Sequence, residues 1–138
     1  MPARDLFHNA VRHGLEKEGW LITDDPLSIS FGGVDLYVDL GAERLIAAER
    51  GEEKIAVEIK SFLGMSVITE FHAALGQFLS YHLGLSARDP QRKLYLAVPD
   101  DTYNEFFKLE FTRLAVERYQ LRLIVYEANA EVIVQWID

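Results

Sequence analysis

The 138-residue sequence contains no cysteine. This absence excludes disulfide bonds and thiolate zinc sites, and it fits a reducing compartment. The sequence also lacks a run long enough and apolar enough to span a bilayer, because its least charged stretch, residues 71–85, is interrupted by histidine, glutamine and serine. The residues after Met1 open no apolar signal region. We therefore expect a cytoplasmic protein that has no membrane partner.

Basic residues are scarce and dispersed. The chain has 14 lysines and arginines against 22 acidic residues, which gives a formal net charge of −8. Nucleic-acid binders usually carry a basic face, because contacts with phosphates release counterions and supply affinity. Tight, unaided binding to long duplex DNA is therefore not what the charge predicts, although a divalent cation or a basic partner would change the local field.

Sequence motifs for nucleophilic catalysis and nucleotide binding are absent. The sequence has no G-x-S-x-G, no P-loop and no G-x-G-x-x-G. Its four histidines do not form an i, i+4 metal-binding pair. The remaining candidate functional groups are carboxylates and lysines. Their spacing is most regular within residues 44–62.

Length and composition predict a single domain over residues 1–138, with 49% hydrophobic residues to form one core. Periodicity predicts helix, strands, helix, strand, helices and strands in that order, which indicates an α/β fold with a mixed sheet. The predicted elements are a helix over 2–18, strands over 20–23, 27–31 and 34–40, a hairpin over 44–60, a helix after Ser66, a strand over 94–98, helices over 102–119 and a terminal hairpin over 121–137.

The hairpin in residues 44–60 turns at Gly51 and Glu52, a Gly-X pair suited to a type II′ turn. If these are the two turn residues, Glu58 lies opposite Leu45. Alternation along the second strand places Glu58 and Lys60 on one face and three β-branched residues on the other. The open end of the hairpin then lies beside Asp39.

The helix after Ser66 carries two stripes at helical spacing. The predicted core stripe and a second stripe beside it consist, respectively, of Val67, Ile68, Phe71, Leu75, Phe78, Leu79 and Leu83, and of Glu70, Ala74, Gln77 and Tyr81. Farther along the chain, Thr102 and Glu105 match a capping box and predict a helix that starts at Thr102.

Asp39, Glu58 and Lys60 suggest a metal-dependent site. Two carboxylates at a sheet edge suit a hard cation such as Mg²⁺ or Mn²⁺, which would polarise a phosphodiester and activate water. A nearby lysine would offset charge on the attacked phosphate. The alternative is a solvated hairpin face on which Glu58 and Lys60 simply alternate, because E-x-K is a short pattern.

The strand that ends in Glu58-Ile59-Lys60, an acid about twenty positions upstream and a following helix with Gln77 and Tyr81 resemble the PD-(D/E)xK nuclease superfamily. The resemblance implies a restriction-endonuclease-like fold, with a mixed central sheet flanked by helices. It implies that Asp39 and Glu58 bind Mg²⁺ or Mn²⁺ and that Lys60 supports the attacking water. It assigns supporting roles to Gln77 and Tyr81. It also implies that Glu16, on the first helix, is an outer acidic residue of the site. No proline precedes Asp39, and Asp35 competes for its place.

Longer blocks of sequence resemble the XisH family: FGGVDLYVDLGAE over 31–43, KIAVEIKSF over 54–62, EFHAALGQF over 70–78 and LYLAVP over 94–99. XisH proteins are known as cyanobacterial controlling factors for excision of the fdxN element, a DNA rearrangement. The resemblance implies DNA as a target, and an XisI-type companion and a site-specific recombinase as protein partners. It leaves open whether the chain cleaves DNA as an endonuclease or is a catalytically silent regulatory subunit. A homodimer is also left open.

Overall fold

A computed structural model describes residues 3–36, 39–40 and 43–138 of the chain. Within these residues the predicted order of helices and strands is confirmed. The helices are α1 (Ala3–Lys17), α2 (Val67–Arg88), α3 (Asp100–Glu105) and α4 (Glu110–Arg118), with a 3₁₀ turn over Phe106–Lys108. The strands are β1 (Leu21–Asp24), β2 (Ile29–Phe31), β3 (Val34–Leu36), β4 (Asp39–Leu40), β5 (Glu43–Arg50), β6 (Glu53–Ile59), β7 (Lys93–Pro99), β8 (Leu123–Glu127) and β9 (Val132–Ile137).

The main sheet has the strand order β1-β5-β6-β7-β8-β9, and β4 also pairs with β5. The β6–β7 and β7–β8 pairs are parallel, and the other pairs are antiparallel. The sheet is therefore mixed, as predicted. The β2 and β3 strands form a separate two-stranded hairpin.

Helices cover both faces of the sheet. The helix α1 packs on one face against the side chains of Ile55, Val57 and Ile59 from β6. On the other face lie α2 and α4, over a core that includes alternate residues of β7 and β8. Because both faces are covered, β7 is buried almost throughout its length. No helix among the described residues is long and apolar enough to cross a membrane.

The β5–β6 hairpin has the predicted register. Gly51 has φ +61°, in the left-handed region that the first residue of a type II′ turn requires. Leu45 pairs with Glu58 across the strands, as a two-residue turn at Gly51 and Glu52 demands. A local turn signal therefore fixes which residues of β6 face α2.

The predicted core stripe of α2 is only partly correct. Leu79 and Leu83 are 44% and 64% exposed. The residues that α2 buries are Phe71, Ala74, Phe78, Tyr81, Gly84 and Leu85. Phe71 and Phe78 of the predicted core stripe are thus buried as expected, the buried face also takes in Ala74 and Tyr81 of the second stripe, and Leu79 and Leu83 face outward. The predicted N-cap is confirmed, since Ser66 Oγ accepts a hydrogen bond from the Thr69 N–H at 3.3 Å.

The capping box predicted at Thr102 is wrong. The helix α3 begins two residues earlier, at Asp100, and Pro99 occupies its N-cap position without a side-chain cap. Pro99 has φ −65° and ψ 150°, an extended conformation that ends β7 and leads directly into the helix. Thr102 therefore lies inside α3, where its hydroxyl is not at the cap.

Candidate functional site

Glu58 and Lys60 lie where β6 ends, on the face of the sheet that α2 covers. Both are enclosed: Glu58 is 2% exposed and Lys60 is 6% exposed. Glu58 pairs with Leu45 of β5 on one side and with Leu96 of β7 on the other. The two charged side chains are therefore held in an apolar layer at the centre of the sheet, where burial of a charge is costly unless it is compensated.

The side chain of Lys60 is held between a carboxylate and an amide. Lys60 Nζ lies 3.9 Å from Glu58 Oε2 and donates a hydrogen bond of 2.5 Å to Gln77 Oε1 on α2. Its backbone is also anchored, because Lys60 N–H donates to the Ala97 carbonyl at 3.1 Å. The Lys60 carbonyl accepts a bond of 2.7 Å from the Tyr126 hydroxyl. These contacts fix the ammonium group in one place next to Glu58.

Tyr81 completes the part of the site that α2 supplies. It lies one helical turn after Gln77, so both side chains reach the same face of the sheet. Tyr81 is buried, and burial together with the negative charge of Glu58 raises the pKa of its phenol to about 12. The phenol is therefore neutral near pH 7 and can donate a hydrogen bond.

The segment that follows Lys60 has an unusual backbone conformation. Phe62, two residues after Lys60, has φ +55°, and bulky residues rarely adopt this left-handed conformation. Its ring packs edge-on against Phe107, with 5.9 Å between the ring centroids. Such conformations persist where the surroundings enforce them, and they cluster near functional sites.

The two candidates for the first acid lie on different strands. The backbone of Asp39 in β4 pairs with Arg44, the residue before Leu45 in β5, so Asp39 belongs to the same end of the sheet as Glu58. The Asp39 side chain lies outside the described part of the structure. Asp35 lies on the separate β2–β3 hairpin, where its exposed carboxylate accepts a hydrogen bond of 2.6 Å from Ser30 Oγ.

The structure does not bring Glu16 to the other predicted residues. Glu16 lies on α1, which covers the opposite face of the sheet. Its side chain is 46% exposed and lies 3.9 Å from Arg12 Nε. The outer-acid role implied for Glu16 therefore stays a prediction without geometric support.

Among the described side chains, this site offers one enclosed carboxylate, that of Glu58, as a ligand for a hard cation. No group of three or more His, Cys, Asp or Glu side chains that could hold a metal ion occurs in residues 3–36, 39–40 and 43–138, as far as their side chains are described. A second carboxylate ligand would have to come from Asp39. A site with two carboxylates fits the chemistry of Mg²⁺, which keeps several waters and takes few protein ligands.

Two features of this end of the sheet have no signal in the sequence. The Tyr126 contact with Lys60 joins residues 66 positions apart. The second feature is a cluster around Asp25, whose carboxylate accepts from Arg12 at 2.8 Å and Arg44 at 3.2 Å and lies 2.8 Å from His8 Nε2. Burial alone raises the pKa of Asp25, but these three bases more than offset it and lower the pKa below the ordinary 3.8.

The fold and the site together define a mixed α/β protein with a buried Glu-x-Lys pair at the end of a central strand. The chain belongs to the XisH family, since the family model described as XisH protein matches residues 1–134.

Two solved structures are similar to the chain. One is the crystal structure of an XisH family protein from Nostoc punctiforme PCC 73102, with 52% sequence identity and a TM-score of 0.90, and the match covers 97% of this chain and 100% of that one. The other is the crystal structure of a fdxN element excision controlling factor protein from Anabaena variabilis, with 52% identity and a TM-score of 0.90 over 97% of this chain and 99% of that one. Among curated proteins, no match was found.

Proposed function

We propose that this chain is a controlling factor for site-specific excision of a DNA element, and that it acts through a metal-dependent, PD-(D/E)xK-type phosphodiesterase site. The excision role is supported by the similarity to the Anabaena variabilis protein, which is described as a fdxN element excision controlling factor. The nuclease role is supported by one observation above all: Glu58 and Lys60 are buried side by side and contact the α2 stripe that carries Gln77.

Each residue of the site has a defined contribution in this proposal. Lys60 carries a positive charge toward the phosphate and stabilises the negative charge that develops in the transition state. Gln77 orients the ammonium group of Lys60 through its amide oxygen. Tyr81, neutral with a pKa of about 12, adds a hydroxyl beside Glu58 without adding negative charge. Glu58 and Asp39 would hold Mg²⁺ or Mn²⁺, which supplies Lewis-acid polarisation and a water of lowered pKa.

The test is cleavage of plasmid, single-stranded and branched DNA by the purified protein with Mg²⁺ or Mn²⁺. Lys60→Met is expected to reduce the rate by about 100-fold or more, which is typical for removal of one electrostatic contact with the transition state. Lys54→Met is the matched control, because Lys54 lies on the same strand but next to the turn, at the opposite end of β6. Equal cleavage by wild type and Lys60→Met would contradict the nuclease proposal.

A second function is favoured by the charge and by the enclosure of the site. A chain of net charge −8 whose site side chains are 2% and 6% exposed offers little to attract a DNA backbone. In this alternative the chain is a catalytically silent subunit that regulates a recombinase by binding it or an XisI-type companion. Excision that persists in cells with Glu58→Gln, together with co-purification of the companion, would support this alternative over catalysis.

A further inference from the structure

Two adjacent cavities lie where β6 and β7 begin, at the end of the sheet opposite to Glu58. One has a volume of about 300 Å³ and the other of about 270 Å³. Gln91 and Lys93 line both of them, so the two cavities share a wall. Together they reach the size of sites that hold small molecules, about 300–1,000 Å³. We call the larger one, with Trp20, Tyr95 and Trp136, the aromatic cavity, and the smaller one, with Arg92, Lys93 and Arg122, the basic cavity.

Both tryptophans of the chain line the aromatic cavity. The ring of Trp136 stacks on Trp20 with 5.9 Å between the centroids, and it is only partly buried. Trp20 is 4% exposed, and its indole Nε1–H has no hydrogen-bond acceptor among the described residues. Buried donors are nearly always matched in folded proteins, and a ligand or water supplies the acceptor where protein groups do not. The wall of this cavity therefore combines flat apolar rings with a donor that the protein leaves unused.

The basic cavity concentrates positive charge in an acidic protein. Arg92, Lys93 and Arg122 line it, and no Asp or Glu of the described residues does. The guanidinium group of Arg92 is paired, because it lies 3.0 Å from Asp89 and 3.5 Å from Glu49. The side chains of Lys93 and Arg122, in contrast, form no ion pair or hydrogen bond with any described residue. Two unpaired cations at one cavity favour an anionic ligand, and an arginine suits a phosphate in particular.

The carboxylates of the aromatic cavity are already engaged. Asp138 accepts a hydrogen bond of 2.5 Å from the Tyr95 hydroxyl, and Glu53 lies 3.3 Å from the guanidinium group of Arg50. Burial and Asp138 raise the pKa of Tyr95, and the charge of Arg122 opposes this rise. The field of Arg122 therefore reaches from the basic cavity into the aromatic one, and an anion is best placed near the boundary between them.

The two cavities reverse the charge balance of the whole chain. Five of its 14 lysines and arginines line them, against three of its 22 acidic residues. These five are Arg50, Lys54, Arg92, Lys93 and Arg122. A chain of net charge −8 repels a phosphate over most of its surface, so a local excess of positive charge is where a phosphate would be held.

We propose that the two cavities bind one nucleotide, with its phosphate at Lys93 and Arg122 and its base against the ring of Trp136. The phosphate accepts charge-assisted hydrogen bonds from both cations. Every base has a flat π-face that packs on an aromatic ring, and its ring nitrogens and carbonyl oxygens are acceptors of the kind that Trp20 Nε1 lacks. The nucleotide is either free or part of a single DNA strand. A base within a duplex would first have to leave the stack.

Tryptophan fluorescence tests the proposal, because both tryptophans of the chain line the aromatic cavity. The protein is titrated in EDTA with AMP and with a short single strand of deoxyadenosine, oligo(dA). At least one of them should quench the fluorescence to saturation, with a Kd on the order of 10–1,000 µM. Adenosine, and inorganic phosphate as a competitor, should each bind at least about tenfold more weakly, since each supplies only part of the contacts. Saturation by AMP assigns a free nucleotide, and saturation by oligo(dA) alone assigns a single strand.

Removal of the two unpaired cations tests the placement of the phosphate. Lys93→Met with Arg122→Met should weaken binding by at least about tenfold. Lys93→Met alone, at an exposed residue, should weaken it by about threefold or more and serves if the double variant is unstable. The control is Lys108→Met with Arg113→Met, which removes the same charge from exposed residues elsewhere and should leave the Kd within about twofold of wild type.

The nucleotide site and the proposed phosphodiesterase site can fail separately. Because the titrations contain EDTA, they need no metal, and Lys60→Met should bind the nucleotide like wild type whether or not the protein cleaves DNA. The proposal is overturned if neither AMP nor oligo(dA) gives a saturable signal up to about 5 mM nucleotide. Equal affinities for AMP and inorganic phosphate would reduce the site to an anion site and overturn it as well. Equal losses in the two double variants would also overturn it.

Discussion

The burial of Glu58 beside Lys60 predicts that the protein is stable with both charges or with neither, but not with one alone. The two charges can be removed one at a time, with Glu58→Gln or Lys60→Met, and then together in the double variant. A double-mutant cycle on these variants isolates the interaction between the two side chains. Its sign and size follow from the distance and the burial of the two groups.

The magnitude follows from the geometry. At 3.9 Å between Nζ and Oε2, two unit charges attract by about 4 kcal/mol at an effective dielectric constant near 20. Burial of each ion costs several kcal/mol, which this attraction offsets only while both charges are present. Lys60→Met is therefore expected to lower the free energy of unfolding by about 3–5 kcal/mol. Glu58→Gln should cost somewhat less, because Lys60 still donates to Gln77.

The double variant should recover most of this loss and unfold within about 1 kcal/mol of wild type or above it, because no uncompensated charge is left. Urea unfolding measures the four free energies, and thermal unfolding should show the single variants about 10 °C below the double variant. The matched control is the cross-strand pair of Glu49 and Lys54 near the turn, which is more exposed and should couple by less than about 1 kcal/mol. Additive losses at Glu58 and Lys60 would refute the reasoning.

Two further predictions concern pH. The pKa of Tyr81 is raised to about 12, so its stabilising contribution is present below about pH 10 and is lost as the pH rises through 12. Tyr81→Phe should remove this alkaline loss, and Glu58→Gln should lower the pKa of Tyr81, as measured by tyrosinate absorbance. The pKa of Asp25 is lowered, so its contribution is present above about pH 4 and is lost as the pH falls through the lowered pKa. Asp25→Asn should cost about 1–3 kcal/mol at pH 7 and flatten the acid side of the stability profile.

Local signals in the sequence are enough to predict the β5–β6 hairpin and the face of β6. The turn at Gly51 depends only on the conformational freedom of glycine, and the strand alternation follows from the geometry of the backbone. Because the two-residue turn fixes the register, the position of Glu58 opposite Leu45 follows from the amino-acid sequence alone. The joint burial of Glu58 and Lys60 then requires only that this strand be internal.

The orientation of α2 could not be predicted in the same way. Apolar spacing correctly predicts the burial of Phe71 and Phe78, but it does not show on which side of these two residues the buried face continues. The buried face continues toward Tyr81, which places Gln77 within reach of Lys60 and leaves Leu79 exposed. Which stripe is buried depends on residues far away in the sequence, such as those of β7, and no local pattern carries that information. The Tyr126 contact with Lys60 has no sequence signal for the same reason.

The burial of Glu58 and Lys60 removes one of the two explanations that the sequence left open, the solvated hairpin face. A solvated hairpin face would leave both side chains in water, but they are 2% and 6% exposed. A buried ion pair contributes little net stability compared with apolar side chains of the same size. The Phe62 backbone beside it, at φ +55°, adds strain rather than relieving it. Stability therefore does not account for this arrangement, and the proposed site is what requires it, because that site needs a fixed ammonium group beside a carboxylate.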